Sequence, residues 1–352
     1  MNDDTISTIT QFLESAGARL YIFDMGRRIT RIGREAFLQF ERTTRPYPFP
    51  MQRQAWFALL LRDARQRHEP FIWFLRFPLD EQGKLMQAAR DDFMHRLVER
   101  LGERLQEQDP DGRLDAALKD NPYTFKPRDE RMAVFHAQAS RLLGHPPSKF
   151  FQHAERYFRG ELGWDQWPFV GYQGIAEIAA QQAGGEIGPL LADSLPHLPE
   201  RPLEALCHCL ENEPLSLVTT QALANRLQRI LEGEHPDVRL VAACIRAASS
   251  SVSPALKRQI MLDALGHPCA SAVEILVAIS GRAWESLLDA QVRARFLERL
   301  AENSAGQELF NQCLSDLLFI PGMRAPILEG VRAPQRSERL SEAIGALFAS
   351  VT

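Results

Sequence analysis

From about Asp129 to the C-terminus the chain is a succession of short apolar-striped segments, each ended by Gly, Pro or Asn. Breakers spaced roughly 14 to 22 residues apart leave room for one helix and a turn at a time. Helices that short cannot bury their apolar faces alone and must stack on neighbours, so this part of the chain is restricted to a helical array. Met132, Phe135, Ala139 and Leu142 form the first stripe. Ser148 then stands as an N-cap before Phe150, Phe151, Ala154, Tyr157 and Phe158. Later helices are predicted over 217–231, 238–248, 256–265, 272–279, 292–300, 309–318 and 340–348.

The first 120 residues are different. Ile6, Ile9, Phe12 and Leu13 recur at helical spacing, with Gly17 as the expected C-cap. Leu20-Tyr21-Ile22-Phe23 reads as a strand that Asp24-Met25-Gly26 turns back into Arg28 to Ile32. Ala36, Phe37 and Phe40 suggest a short helix, stopped at Pro46-Tyr47-Pro48-Phe49-Pro50. Ala55 to Leu61 and Phe71 to Leu75 are apolar runs without alternation, which suggests strands buried on both faces, with a buried helix as the alternative for the first because Leu and Ala favour it. Leu85, Ala89, Phe93, Leu97, Leu101 and Leu105 step by four along one helix, with Asp80 as its expected N-cap. The fold class expected is therefore an α+β N-terminal domain over 1–120, a small antiparallel sheet with flanking helices, followed by an all-α, HEAT-like helical array over 121–352. Asp109-Pro110-Asp111-Gly112 and Asp120-Asn121-Pro122 bracket the junction.

Composition narrows function more than fold. The longest apolar run, Ala55 to Leu61, is far short of the roughly 18 residues of a membrane helix. The acidic start Met1-Asn2-Asp3-Asp4 is unlike a signal peptide, so a cytoplasmic location is expected. The five cysteines, Cys207, Cys209, Cys244, Cys269 and Cys313, fall on helices and read as small buried hydrophobes. The basic residues are 36 arginines and 5 lysines, but the chain as a whole carries −4. Segment 27–76 alone carries +7, leaving −11 on the rest. Such asymmetry can present a basic face to an anionic partner.

No nucleotide-binding glycine loop, zinc-protease helix or hydrolase elbow occurs. Cys207-His208-Cys209 is not a metal site, because positions two apart on a helix point about 200° away from each other. The strings Gly144-His145-Pro146, Gly266-His267-Pro268 and Glu234-His235-Pro236 read as a C-cap followed by the next helix's first turn. No catalytic residue, metal ligand or cofactor is assigned. The candidate binding residues are Arg27 and Arg28 after the hairpin turn, Tyr47 and Phe49 on the proline-stiffened loop, and Trp73 beside Arg76. Asp80, Glu81 and Gln82 complete the set, at a helix N-terminus that could receive an anion.

His235-Pro236-Asp237-Val238-Arg239-Leu240-Val241-Ala242-Ala243 resembles the second helix of HEAT repeats, in which an Asp/Arg pair ties neighbouring units together. Pro46 to Pro50, Ile72 to Leu75, Phe77 to Gly83 and Asp120 to Pro127 resemble a gammaproteobacterial family known only as a domain of unknown function. That resemblance implies no activity, cofactor or catalytic residue. The reading that follows is a non-enzymatic interaction or scaffold protein with a protein partner. The alternatives are nucleic-acid or nucleotide binding through segment 27–76, and an enzyme whose site leaves no local motif.

Overall fold

The computed structural model describes residues 8–15, 17–63, 70–103, 118 and 120–349. Ile6, Leu105 and the Asp109-Pro110-Asp111-Gly112 turn lie outside them. The chain divides into two units, residues 1–128 with Phe319–Pro321, and Asp129–Leu318 with Gly322–Thr352.

In the first unit, Thr8 opens α1 (Ile9–Ser15), its Oγ1 accepting the Gln11 N–H at 3.0 Å. Gly17, at φ +86°, stops the helix and donates its N–H to the Glu14 carbonyl at 2.9 Å. Then come β1 (Ala18–Asp24), β2 (Thr30–Ile32), α2 (Arg34–Glu41), β3 (Gln54–Asp63), β4 (Phe71–Pro78) and α3 (Gln87–Glu103). The strands form one antiparallel sheet in the order β2-β1-β3-β4. Side chains alternate between its faces. Ile22, Phe57, Leu59, Trp73, Leu75 and Phe77 share one face and pack on Phe37 and Phe40 of α2 and on Phe93 and Leu97 of α3. Phe37 meets Phe57 edge-on at 4.9 Å, and Phe77 meets Phe93 the same way at 5.5 Å. Ala58 and Leu60 point to the opposite face and are buried too, so the unbroken apolar run of β3 is covered on both sides. The outer edge of β4 is closed by Tyr123–Phe125. The Arg76 N–H donates to the Tyr123 carbonyl at 2.7 Å, and the Phe125 N–H to the Phe74 carbonyl at 3.1 Å.

The second unit holds α4 (Asp129–Leu143), α5 (Lys149–Phe158), α6 (Tyr172–Gln181), α7 (Ile187–Ser194), α8 (Glu200–Leu210) and α9 (Leu217–Leu231). It continues with α10 (Val238–Ala248), α11 (Pro254–Gly266), α12 (Val273–Gly281), α13 (Ala290–Ala301), α14 (Gln307–Phe319), α15 (Arg324–Val331) and α16 (Glu338–Ala349). Helices α4, α6, α8, α10 and α12 pack on one another in succession, while α5, α7, α9, α11 and α13 form a second row beside them. Small side chains recur where the first-row helices meet. The free thiols of Cys207 in α8 and Cys244 in α10 are hydrogen-bonded to each other, and the Ser280 hydroxyl of α12 donates to Cys313 Sγ of α14 at 3.6 Å. Cys209 faces the other way, toward Tyr172 of α6, as the 200° argument requires.

The three Gly/Glu-His-Pro strings are not one repeated position. Gly144 closes a first-row helix at φ +72°, whereas Glu234-His235-Pro236 and Gly266-His267-Pro268 follow second-row helices. The Asp/Arg pair of the HEAT resemblance also differs. Asp237 caps α10 by accepting the Arg239 N–H at 2.8 Å, and the exposed Arg239 guanidinium bonds back to it at 3.2 Å within the same turn. Ties between neighbouring helices are made by other arginines. Arg226 of α9 donates to the Pro196 and Leu198 carbonyls beyond α7. Arg295 and Arg299 of α13 donate to the Leu262 and Leu265 carbonyls of α11, and Arg339 of α16 to the Ala301 carbonyl of α13. The Leu262, Leu265 and Ala301 carbonyls lie at or near the C-terminal ends of their helices, where a cation is also favoured by the helix dipole, and those of Pro196 and Leu198 lie in the turn after α7. Arg226 reaches two carbonyls at once with its planar fork, a geometry that a lysine ammonium does not hold fixed.

Burial orders the thiols. Cys207, Cys209, Cys244 and Cys313 are buried and Cys269 is half-buried. A thiol reagent is expected to modify Cys269 first in the native protein and the other four only on denaturation. Early native labelling of Cys207 or Cys244, read by peptide mass mapping, would contradict this packing.

Candidate binding surfaces

Asp24 ends β1 fully buried. Its Oδ2 accepts the Arg28 N–H at 3.0 Å, and its Oδ1 lies 2.8 Å from the Tyr47 hydroxyl, which is also 2.9 Å from the Trp56 carbonyl. Burial, and then the Asp24 charge, push the Tyr47 proton affinity well above that of an ordinary phenol. Tyr47 is therefore a buried hydrogen-bond donor, held in the core between Phe40 and Phe57.

The same knot takes in Arg27, expected at the surface and found 1% exposed, its Nε donating to the Pro50 carbonyl at 2.6 Å. Arg28 is half-buried. The turn expected at Asp24–Gly26 is thus folded inward around a carboxylate, a long-range pairing that no local spacing signals. Phe49 is half-buried against the core, and Trp73 lies inside it, 6.5 Å from Phe93. Trp73 occupies the same sheet face as Leu75 and Phe77, while Ile72, Phe74 and Arg76 on the other face are only half-buried, so β4, unlike β3, is not buried on both sides as its unbroken apolar run suggests. Arg76 points to the opposite face, its guanidinium 5.1 Å from the Trp56 ring centre.

Asp80 is not a helix N-cap. Its Oδ1 accepts the N–H groups of Gln82 at 2.8 Å and Lys84 at 2.9 Å, closing a turn in which Gly83 has φ +74°. Helix α3 starts only at Gln87, so the free N–H groups proposed for an anion are occupied by the Asp80 carboxylate. Glu81 and Gln82 are exposed at the tip of that turn. The structure brings Tyr47 beside it through the Tyr47 N–H and the Gly83 carbonyl at 2.8 Å. Arg27, Trp73 and Arg76 do not join them in one cleft.

In the helical unit the buried charges are structural. Glu211, at the end of α8, is 2% exposed and binds Arg246 of α10 and, at 3.1 Å, Arg282 after α12. Burial raises its carboxyl, but Arg282 and Arg246 overcome that and hold it at about 2. Glu213, close by, meets Gln138 at 2.8 Å and Arg141 at 3.4 Å, yet burial prevails and its carboxyl rises to about 7. A groove of about 690 Å³ runs past Arg141, His145, Phe151 and Glu177. The Glu177 carboxylate there already accepts the Ser148 N–H and hydroxyl, capping α5.

One surface stands out. The links from first-row to second-row helices all lie on one edge of the array, where the Leu215 N–H donates to the Ser250 carbonyl and the Val252 N–H to the Leu215 carbonyl, both at 3.0 Å. On that edge Leu217 is 61% exposed, Val252 61% and Leu288 56%, with Val218 beside the first. Large exposed apolar side chains thus recur once per helix pair at these links.

The molecule is thus a small antiparallel α+β unit joined to a two-row helical array. Among the described residues no helix is long and apolar enough to cross a membrane, and no group of His, Cys, Asp or Glu could hold a metal ion. Over residues 4–348 the chain matches the family described as Protein of unknown function (DUF3549), and it belongs to that family. No curated protein and no solved structure matches it.

Proposed function

We propose that the protein is a cytoplasmic, non-enzymatic scaffold whose HEAT-like array grips a protein partner along the Leu217–Val252–Leu288 edge. The observation that carries this is the exposure of these three side chains at one-per-helix-pair spacing. Interfaces are distinguished by desolvated apolar centres, and a stacked array presents such a centre as an extended ridge.

The test is a triple variant, Leu217→Asp, Val252→Asp and Leu288→Asp. Each acid falls within or just before a helix's first turn, where the helix dipole favours it, so folding should be preserved. Thermal melting within a few degrees of wild type, with loss of the partners that wild type captures from its native host, is the expected result. Capture of the same partners by the triple variant would remove this edge as the binding surface.

A further inference from the structure

The sheet face opposite the core of the first unit has an unusual makeup. By strand alternation it carries Arg19 and Tyr21 from β1, Arg31 from β2, Trp56 and Arg62 from β3, and Arg76 from β4. No carboxylate from these strands shares it. Arg19 and Arg62 are direct register partners, and Arg31 is paired with Phe23. Like charges directly opposite in a ladder are destabilising. Arg19, Arg31 and Arg62 are all exposed, and among the described residues none has an ion pair or side-chain hydrogen bond. The guanidinium carbons of Arg19 and Arg31 sit 5.3 and 5.5 Å from the Tyr21 ring centre, gathering the three cations at one end of the sheet.

The strand edge beside them is open. Strand β2 pairs only with Ile22–Asp24 of β1, and among the described residues the Ala18–Tyr21 stretch has no backbone partner on that side. We infer that this edge and its arginines bind an extended acidic peptide, laid along Ala18–Tyr21 with alternate Glu or Asp side chains on Arg19, Arg31 and Arg62. Alternate residues of a strand fall on one face about 7 Å apart, so carboxylates of a peptide on this edge lie beside Arg19, with Arg62 one strand further in and Arg31 in line with the peptide on β2. A nucleic acid fits less well. The Tyr21 ring is already covered by guanidiniums and offers no platform for a base, and the whole chain is acidic.

The experiment titrates the full-length protein with a fluorescent alternating Glu–Val peptide, its Gln–Val counterpart, an N-methylated Glu–Val peptide, and a labelled single-stranded oligonucleotide. Only the unmethylated Glu–Val peptide should bind well. Arg31→Glu together with Arg62→Glu should weaken it roughly tenfold or more. Arg229→Glu, on the exposed face of α9, should leave it unchanged. Arg62→Glu alone should also melt at or above the wild-type temperature, because the new carboxylate attracts Arg19 where Arg62 repelled it. That result separates lost binding from lost folding. Equal binding of the Gln–Val or N-methylated peptide would overturn the proposal. So would wild-type affinity in the double variant, or an arginine-dependent preference for the oligonucleotide.

Discussion

Replacing Glu211 with Gln is expected to destabilise the helical unit by ~3–5 kcal/mol, measured by urea unfolding at neutral pH. The carboxylate is almost fully buried and serves two guanidiniums, those of Arg246 and Arg282, from two different neighbouring helices. Removing its charge leaves both cations short of a partner in a site that water reaches poorly. That asymmetry, more than the strength of the pair itself, sets the size of the effect. The difference between wild type and variant should also depend on pH. The folded carboxyl, at about 2, lies below its ordinary 4.5. Its contribution is therefore fully present above about pH 4.5 and lost as pH falls toward 2. Glu41 and Glu213, each raised to about 7 by burial, act with the opposite sign, losing stability as pH rises from 4.5 to 7. Both are shared by wild type and variant, so subtraction isolates Glu211. A variant within about 1 kcal/mol of wild type at neutral pH would show that the triad is not a structural tie.

Trp73→Ala should be comparably costly, ~3–5 kcal/mol, and should act on the sheet unit. The ring is 1% exposed and packs on Phe93 in a cluster that also holds Phe57, Phe77 and Phe37. Truncation leaves a large cavity among rigid aromatic neighbours that cannot close over it. Trp73→Phe, which keeps most of the volume, should lose much less. If both variants fold with wild-type stability and instead lose binding, the residue belongs to a surface after all.

Trp73 also shows why the fold was more legible in the sequence than the site. Periodicity reports burial directly, so Leu217–Leu231 and Val238–Ala248 could be read to the residue. Helices α6, α7 and α8 left no comparable signal. Helix α6 is buried on nearly every side, and α7 is short and carries Pro189 in its first turn, so neither shows a polar face to set a period. The placement of the candidate site residues was hidden for a different reason. Arginine and tryptophan in a sequence suggest surface chemistry, but Arg27 is held inside by the Pro50 carbonyl and Asp80 uses its carboxylate to close its own turn. Both interactions depend on three-dimensional placement or side-chain rotamer. The exposed cations that remain, Arg19, Arg31 and Arg62, become a group only once β1, β2 and β3 are set side by side, although two of them lay within the basic segment from the start.

The arginine-to-carbonyl ties between neighbouring helices run from later residues to earlier ones, whereas the ion pair of Arg258 in α11 with Asp289 ahead of α13 runs the other way. Arg226 satisfies carbonyls made earlier, beyond α7, while Arg295 and Arg299 do so for α11 and Arg339 for α13. During synthesis, then, each of these helices leaves the ribosome with its tail unfinished and is completed only when a later one arrives. The array is closed from behind, like a row of shingles nailed by the course above, and its most recently made end is always its least secure.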